Sequence, residues 1–229
     1  MSARFAVYYA PEIEDPLFQA GARWLGRDPE SNAQRVQPDL PGVAEITSAP
    51  ARYGFHATLK PPMRLALGKT WWELEDAARQ MGRGIRPFLL PPLAVADLRG
   101  FLALRETEPC CELQALADLS VEALDGFREP ASAAELTRRR QGGLAPRQEA
   151  MLLQWGYPYM FDTWFFHMTL TRRLNADEMA IYRPAAEAHF SGVLAGPRRV
   201  TDICLFTQPA ADAGRQNPFT ISARIPLLG

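Results

Sequence analysis

Lysine is scarce in this chain: Lys60 and Lys69 are the only two in 229 residues, and arginine supplies the rest of the 25 basic side chains. Against 26 acidic groups they leave a net charge of −1. A protein that holds nucleic acid by unspecific attraction to phosphate carries a basic excess, so that class is disfavoured. The arginine bias is assigned to overall composition, although arginine forks also suit phosphate and carboxylate. Balanced charge with 47% hydrophobic residues excludes a disordered or purely solvating segment. Cysteine is scarce too: Cys110, Cys111 and Cys204 are odd in number and two are adjacent. That pattern provides neither a disulfide framework nor metal-ligand spacing, and all three are read as structural. No run approaches 18 apolar residues, so no helical membrane span is expected. The opening MSARFAVYYAPEIEDPLF lacks the order of a signal peptide, and the expected compartment is the cytoplasm.

What remains is enough chain to bury a core without staples, in one domain or two lobes sharing one interior. Residues 4–10 read as a strand and 15–26 as a helix, followed by a long Pro-rich connection over 27–54. Residues 55–60 read as a strand stopped by Pro61-Pro62. Thr70-x-x-Glu73 has the form of a capping box and opens a helix to about Met81. Residues 93–105 and 111–118 read as two strands joined by a hairpin at ETEP. A short helix over 119–127 follows, and Ser132-x-x-Glu135 caps another that ends at Gly142-Gly143. Pro146 suits the first turn of a helix to Trp155. Residues 161–172 read as a strand, and Asn175-x-x-Glu178 caps a helix to about Phe190. Strands near 201–208 and 219–226 close the chain. The order is mixed with hairpins, which predicts an α+β fold with antiparallel sheets rather than a doubly wound parallel sheet. No low-complexity linker divides the chain, so residues 1–229 are read as a single bilobed domain.

The chemistry rests on histidine, of which there are three: His56, His167 and His189. Two lie in matching tetrapeptides, His56-Ala57-Thr58-Leu59 and His167-Met168-Thr169-Leu170. By composition that coincidence is on the order of 1 in 10,000 before allowing for the choice of motif. Strand alternation explains the spacing. His56, Thr58 and Lys60 share one face, as do His167, Thr169 and Thr171, while the intervening apolar residues face a core. If the lobes are related by a pseudo-twofold, the two polar faces meet across one cleft. Two imidazoles there suit phosphodiester chemistry, one removing a proton and the other delivering one to the leaving oxygen. Threonine hydroxyls donate to the non-bridging oxygens. Neither motif has an Asp or Glu in register to make a metal site, so no metal or other cofactor is expected.

These residues resemble the two-histidine phosphoesterase superfamily, whose members carry two His-x-Thr/Ser motifs on a duplicated α+β fold with a central cleft. It includes bacterial RNA 2′,3′-cyclic phosphodiesterase/2′–5′ ligases and plant cyclic phosphodiesterases. More narrowly, RYGFHATLKPP at 52–62, GFLALR at 100–105 and FFHMTLTRRL at 165–174 are similar to an uncharacterised, DUF1045-like branch. Its genes are often found beside phosphonate-degradation operons. The resemblance implies catalysis by His56 and His167 with Thr58 and Thr169. It also implies a small substrate such as a ribose or nucleotide cyclic phosphate, with RNA the less favoured partner.

Other candidates are set beside plainer readings. Lys60 and Thr171 share the motif faces and are candidates to bind substrate. Arg52 and Tyr53 precede the first motif, where a loop closes over substrate or lies on the surface. Arg138, Arg139 and Arg140 end a helix, where the dipole alone favours them. On the rival reading this run, hinged at Gly142-Gly143, lies over the cleft and grips a second phosphate, with Arg139 the named candidate. Tyr8 is assigned to the core and His189 to a helix surface. Against the enzyme stand a binding protein for nucleotide, RNA or phosphate ligands and a regulatory partner of a phosphonate-degrading complex. The sequence leaves the acid and base unassigned, along with the oligomeric state.

Overall fold

The computed structural model describes residues 2–212 and 216–229, and over these the chain is an α+β fold built on antiparallel sheet. The elements are β1 (Arg4–Tyr9), α1 (Pro16–Leu25), α2 (Val43–Ala51), β2 (Ala57–Met63), α3 (Trp71–Arg83), β3 (Phe88–Leu90), β4 (Leu93–Asp97) and β5 (Leu102–Glu106). They continue with α4 (Cys111–Leu124), α5 (Ala133–Arg140), α6 (Pro146–Trp155), β6 (Met168–Thr169), α7 (Ala176–Leu194), β7 (Arg198–Val200), β8 (Asp202–Gln208) and β9 (Thr220–Pro226). Seven strands form one sheet in the order β4-β5-β6-β2-β1-β8-β9, and β3 pairs with β7 separately. The motif strands β2 and β6 are therefore neighbours at the middle of the sheet, with β5-β4 on one side and β1-β8-β9 on the other. Both motif strands thus belong to one continuous sheet.

Alternation assigns the two faces. Val7, Tyr9, Ala57, Leu59, Met168, Leu104 and Leu205 point into the main core, where α1, α3, α4 and α7 contribute Trp24, Leu74, Leu116 and Phe190. Ala6, Tyr8, Ala10, Cys204, Phe206 and Phe219 form a second apolar cluster that contains the opposite face of β1 and β8. Burial on both sides holds these central strands rigid. The expected caps form: Thr70, Ser132 and Asn175 each close a capping box on α3, α5 and α7.

The structure corrects several sequence expectations. Residues 93–105 are a complete hairpin, β4 turning into β5 at Leu98–Phe101, and Leu98 N–H donates to the Phe101 carbonyl at 2.8 Å. ETEP is no hairpin, because 111–124 is α4. Its buried residues Leu113, Leu116, Ala117, Ser120, Val121 and Leu124 have helical spacing, a period that a shorter window conceals. The connection over 27–54 contains α2, with Pro50 only in its last turn. Pro61-Pro62 does not stop β2, since both prolines fall between the Val7↔Lys60 and Phe5↔Met63 pairs, where the register is irregular. The strand expected at 161–172 shrinks to Met168–Thr169. Before it the Thr163 and Trp164 amides turn back to Met160 and Phe161, and after it the Arg172 amide bonds Ile46 of α2.

Candidate active site

The site begins with a register. Ala57 of β2 pairs antiparallel with Met168 of β6. Continuing one residue each way places His56 across from Thr169 and Thr58 across from His167, all four on one face. Directly opposed side chains in such a pair have Cβ atoms about 4.5–5.5 Å apart. The two motifs thus form a square in which each imidazole has one hydroxyl along its own strand and another across the ladder. The structure brings together all four residues that the motifs proposed.

Both rings are oriented in the same way. His56 Nδ1 lies 2.8 Å from the Gly54 carbonyl, and His167 Nδ1 lies 3.1 Å from the Phe165 carbonyl. A carbonyl only accepts, so in each neutral ring Nδ1 carries the proton and Nε2 keeps its lone pair. Thr58 Oγ1 donates to His56 Nε2 over a long 3.4 Å. Gly54 is needed where it stands. Its φ is +82°, and a Cβ there would come 2.6 Å from Pro29, so other residues would displace the carbonyl that holds His56. On the other side the Trp164 indole donates to the Thr58 carbonyl at 2.8 Å, tying the approach to β6 onto β2.

The surroundings of the two rings differ. His56 stacks on Tyr8 with centroids 3.8 Å apart and has Phe206 at 5.9 Å. Burial drives its pKa down to about 4, and the neighbouring His167 pushes the same way against the Gly54 bond. His167 has Phe165 at 4.8 Å and Phe101 at 6.1 Å, and borders a cleft of 640 Å³. Its pKa is lowered as well, mainly by burial, with Arg105 adding positive charge and the Phe165 bond opposing. Thr58, Tyr157, Tyr159 and Gln148 also line this cleft.

Of the other candidates, Tyr53 and Arg139 lie near the site. Tyr53 is 6.3 Å from His56 and stacks on Phe219 at 5.4 Å. Arg139 sits 4.7 Å over the ring of Tyr157, which lines the cleft. Arg140 is held by Glu149. Lys60 and Thr171 are corrections. The bulge that makes Leu59 an extra residue on β2 pairs Lys60 with the core-facing Val7 and turns it away from the imidazoles. Its ammonium is buried against Asp125 Oδ1 at 2.9 Å and the Val121 carbonyl at 3.1 Å. Thr171 is buried, and its hydroxyl accepts from the Leu102 amide at 3.0 Å. Arg52 is exposed, and its guanidinium is turned to Gln216. His189 bonds the Ala20 carbonyl at 2.9 Å and joins α7 to α1. Sequence reasoning missed Arg105, although GFLALR carries it. It follows the Ala103↔Thr169 and Leu104↔Met168 pairs, which places it across from His167. Among the described residues, no group of three or more His, Cys, Asp or Glu is placed to hold a metal ion, and no helix is long and apolar enough to cross a membrane.

An antiparallel sheet that presents two imidazoles and two threonine hydroxyls on one face makes this an α+β protein with a paired-histidine candidate site. The chain belongs to the DUF1045 family, described as "Protein of unknown function", whose model matches residues 58–216. It is 38% identical over 234 residues to a Janthinobacterium sp. (strain Marseille) protein named ribose 1,5-bisphosphate phosphokinase PhnN, covering 99% of this chain and 51% of that one. A Laribacter hongkongensis (strain HLHK9) protein of the same name is 36% identical over 212 residues, covering 92% and 49%. The chain thus spans about half the length of the curated relatives it matches. Among solved structures it is similar to E. coli LigT complexed with 3′-AMP (17% identity, TM-score 0.48, all of both chains). It is likewise similar to a protein described as a phosphoesterase (16% identity, TM-score 0.44, all of both chains).

Proposed function

We propose that this chain is a phosphodiesterase that hydrolyses a cyclic or 2′-linked phosphodiester of a small phosphorylated sugar, with His56 and His167 as general base and general acid. One observation carries the reading: matched Nδ1 bonds to backbone carbonyls leave both Nε2 lone pairs on one face, that of His56 met only by Thr58 Oγ1 at a long 3.4 Å, and each ring is flanked by hydroxyls. His56, stacked and desolvated, stays neutral near pH 7 and takes the proton of the attacking water. His167, beside the open cleft, delivers a proton to the leaving oxygen. Thr58 and Thr169 donate to the non-bridging oxygens, where charge accumulates in the transition state. The donors on this face are nitrogen and hydroxyl only, which suits proton transfer without a metal.

The substrate class follows from the chemistry and from the relatives. Opening a cyclic phosphate yields a phosphomonoester, and the matching relatives are named for a kinase of ribose 1,5-bisphosphate. A ribose cyclic phosphate is therefore the favoured substrate, in phosphonate metabolism as the resemblance implies. The same match, covering half of each longer relative, favours one second reading: a non-catalytic module that binds phosphate ligands. One panel separates the two. Purified protein in EDTA is given nucleoside 2′,3′-cyclic phosphates, ribose cyclic phosphates and a 2′–5′ dinucleotide, beside His56→Ala and His167→Ala. Turnover lost in both variants supports the enzyme. No turnover, with phosphate ligands still bound by both variants, moves the assignment to the binding module.

A further inference from the structure

The two-histidine reading leaves one wall of the cleft unused. Beyond His167 the charged lining consists of Arg99, Arg105 and Arg173, and no Asp or Glu lines this cleft among the described residues. The arginines come from the hairpin turn, from β5 and from the segment after β6, so the fold gathers them from separate stretches.

Their local states suit an anion. Arg105 has a buried Nε with no hydrogen-bond partner among the described residues, and its one ion pair, to Glu106, is 3.5 Å long. Its guanidinium lies 5.5 Å over Phe165, the ring that neighbours His167. Arg99 occupies the first central position of the Leu98–Phe101 turn, with φ at +57°, and Gly100 follows at +98°. Asn-Gly is the favoured pair for such a two-residue turn, and an ordinary side chain in left-handed backbone is strained. Arginine at that position gives the turn nothing, but it puts a guanidinium on the cleft. Arg173 donates to the Arg99 carbonyl and joins the turn to the strand exit behind His167.

Three guanidinium groups in a shared wall repel one another until an anion joins them, and their planar forks match the oxygens of a phosphate dianion. We propose that Arg99, Arg105 and Arg173 form a second anion subsite, which binds a terminal phosphate monoester carried by the substrate away from the scissile phosphodiester. This deepens the phosphodiesterase reading and rests on it. The substrate is then a doubly phosphorylated small molecule, a sugar bearing one cyclic and one terminal phosphate. The site selects it over the same cyclic phosphate without the terminal group.

The test compares ribose cyclic phosphate with and without a phosphate on C5, using wild type, Arg99→Gln and Arg173→Gln. The wild type should prefer the 5-phosphorylated compound by about 30-fold in kcat/KM, the size of one or two charge-assisted bonds. In each variant that ratio should collapse toward one, through KM rather than kcat. No preference in wild type, or a ratio that survives both substitutions, overturns the subsite. Titration with ribose 5-phosphate and with ribose, followed by calorimetry, separates this outcome from failure of the enzyme reading. If nothing is turned over, ribose 5-phosphate binding that exceeds ribose binding and is lost in both variants still supports the subsite. Equal binding of the two compounds, or no effect of the substitutions, rejects it.

Discussion

His56 and His167 begin the same four-residue pattern on adjacent strands and make the same bond from Nδ1 to the carbonyl two residues back. Their walls differ. Around His56 the neighbours are Tyr8, Tyr53 and Phe206. Around His167 they are Phe101, Phe165 and a cleft wall of three arginines. The repeated backbone fixes where two Nε2 atoms stand and which tautomer each ring holds. The unrepeated side chains set how readily each ring carries a proton, and on the proposed mechanism this divides one duplicated motif into a base and an acid.

The most direct way to break this comparison is to remove one ring at a time. His56→Ala and His167→Ala are each expected to lower kcat by about 10²–10⁴, the usual worth of one positioned acid or base. The double variant should lose much less than the product of the two effects, since the rings act as a unit. Equal single losses with a fully additive double variant would argue against coupled proton transfer. Thr58→Ala and Thr169→Ala are expected to be milder, about 10–10² in kcat, because each removes one donor to the developing charge.

A sharper version uses pH. The proposed mechanism needs His56 neutral and His167 protonated, and both have pKa values below the ordinary 6.5, His56 at about 4. The profile of kcat/KM should therefore be a bell on the acid side of neutrality, its acid limb near pH 4. The two limbs belong to the pair as macroscopic values. Tyr8→Ala uncovers His56, raises its pKa toward 6.5, and should move the acid limb up by about one pH unit. The same change should also alter stability. A histidine whose folded pKa is depressed contributes stability above its unfolded pKa and loses it as pH falls from about 6.5 toward 4. Thermal melts across that window should be flatter for Tyr8→Ala than for wild type.

Much of the candidate site was legible in the sequence because its residues lie in a two-residue period on one strand, repeated. His56-x-Thr58 and His167-x-Thr169 needed only the rule that alternate side chains share a face. The fold class and the capped helices α3, α5 and α7 were legible for a related reason, since each capping box is local. The tertiary features were hidden. α4 was hidden behind the strand-like start of 111–118, and its helical period shows only over 14 residues. β6 was overestimated, because backbone bonds from 163, 164 and 172 to partners outside the ladder carry no sequence signal. Arg105 could not be identified, since its importance comes from β5 pairing with β6.

Lys60 shows where the comparison between the motifs ends. Strict alternation makes it the third member of the His56 face, as Thr171 is of the other, and both were candidates to touch substrate. The extra residue Leu59 reverses the face at Lys60, and the ammonium is engaged by Asp125 and the Val121 carbonyl beneath the sheet. Breaking a buried ion pair costs about 3–5 kcal/mol when the remaining charge is left alone. Asp125 is not left alone, because Arg128 holds both its oxygens at 2.8 and 2.9 Å. Lys60→Met should therefore cost less, about 1–3 kcal/mol, and lower Tm by roughly 5 °C for a chain of this size. Its kcat and KM, measured well below the melting point, should stay within about twofold of wild type, since surface and support changes away from the site are small. Thr171→Val should behave alike, losing stability through the unpaired Leu102 amide while turnover persists. A drop in kcat of tenfold or more in Lys60→Met, at unchanged Tm, would mean that the lysine reaches the phosphate instead of Asp125.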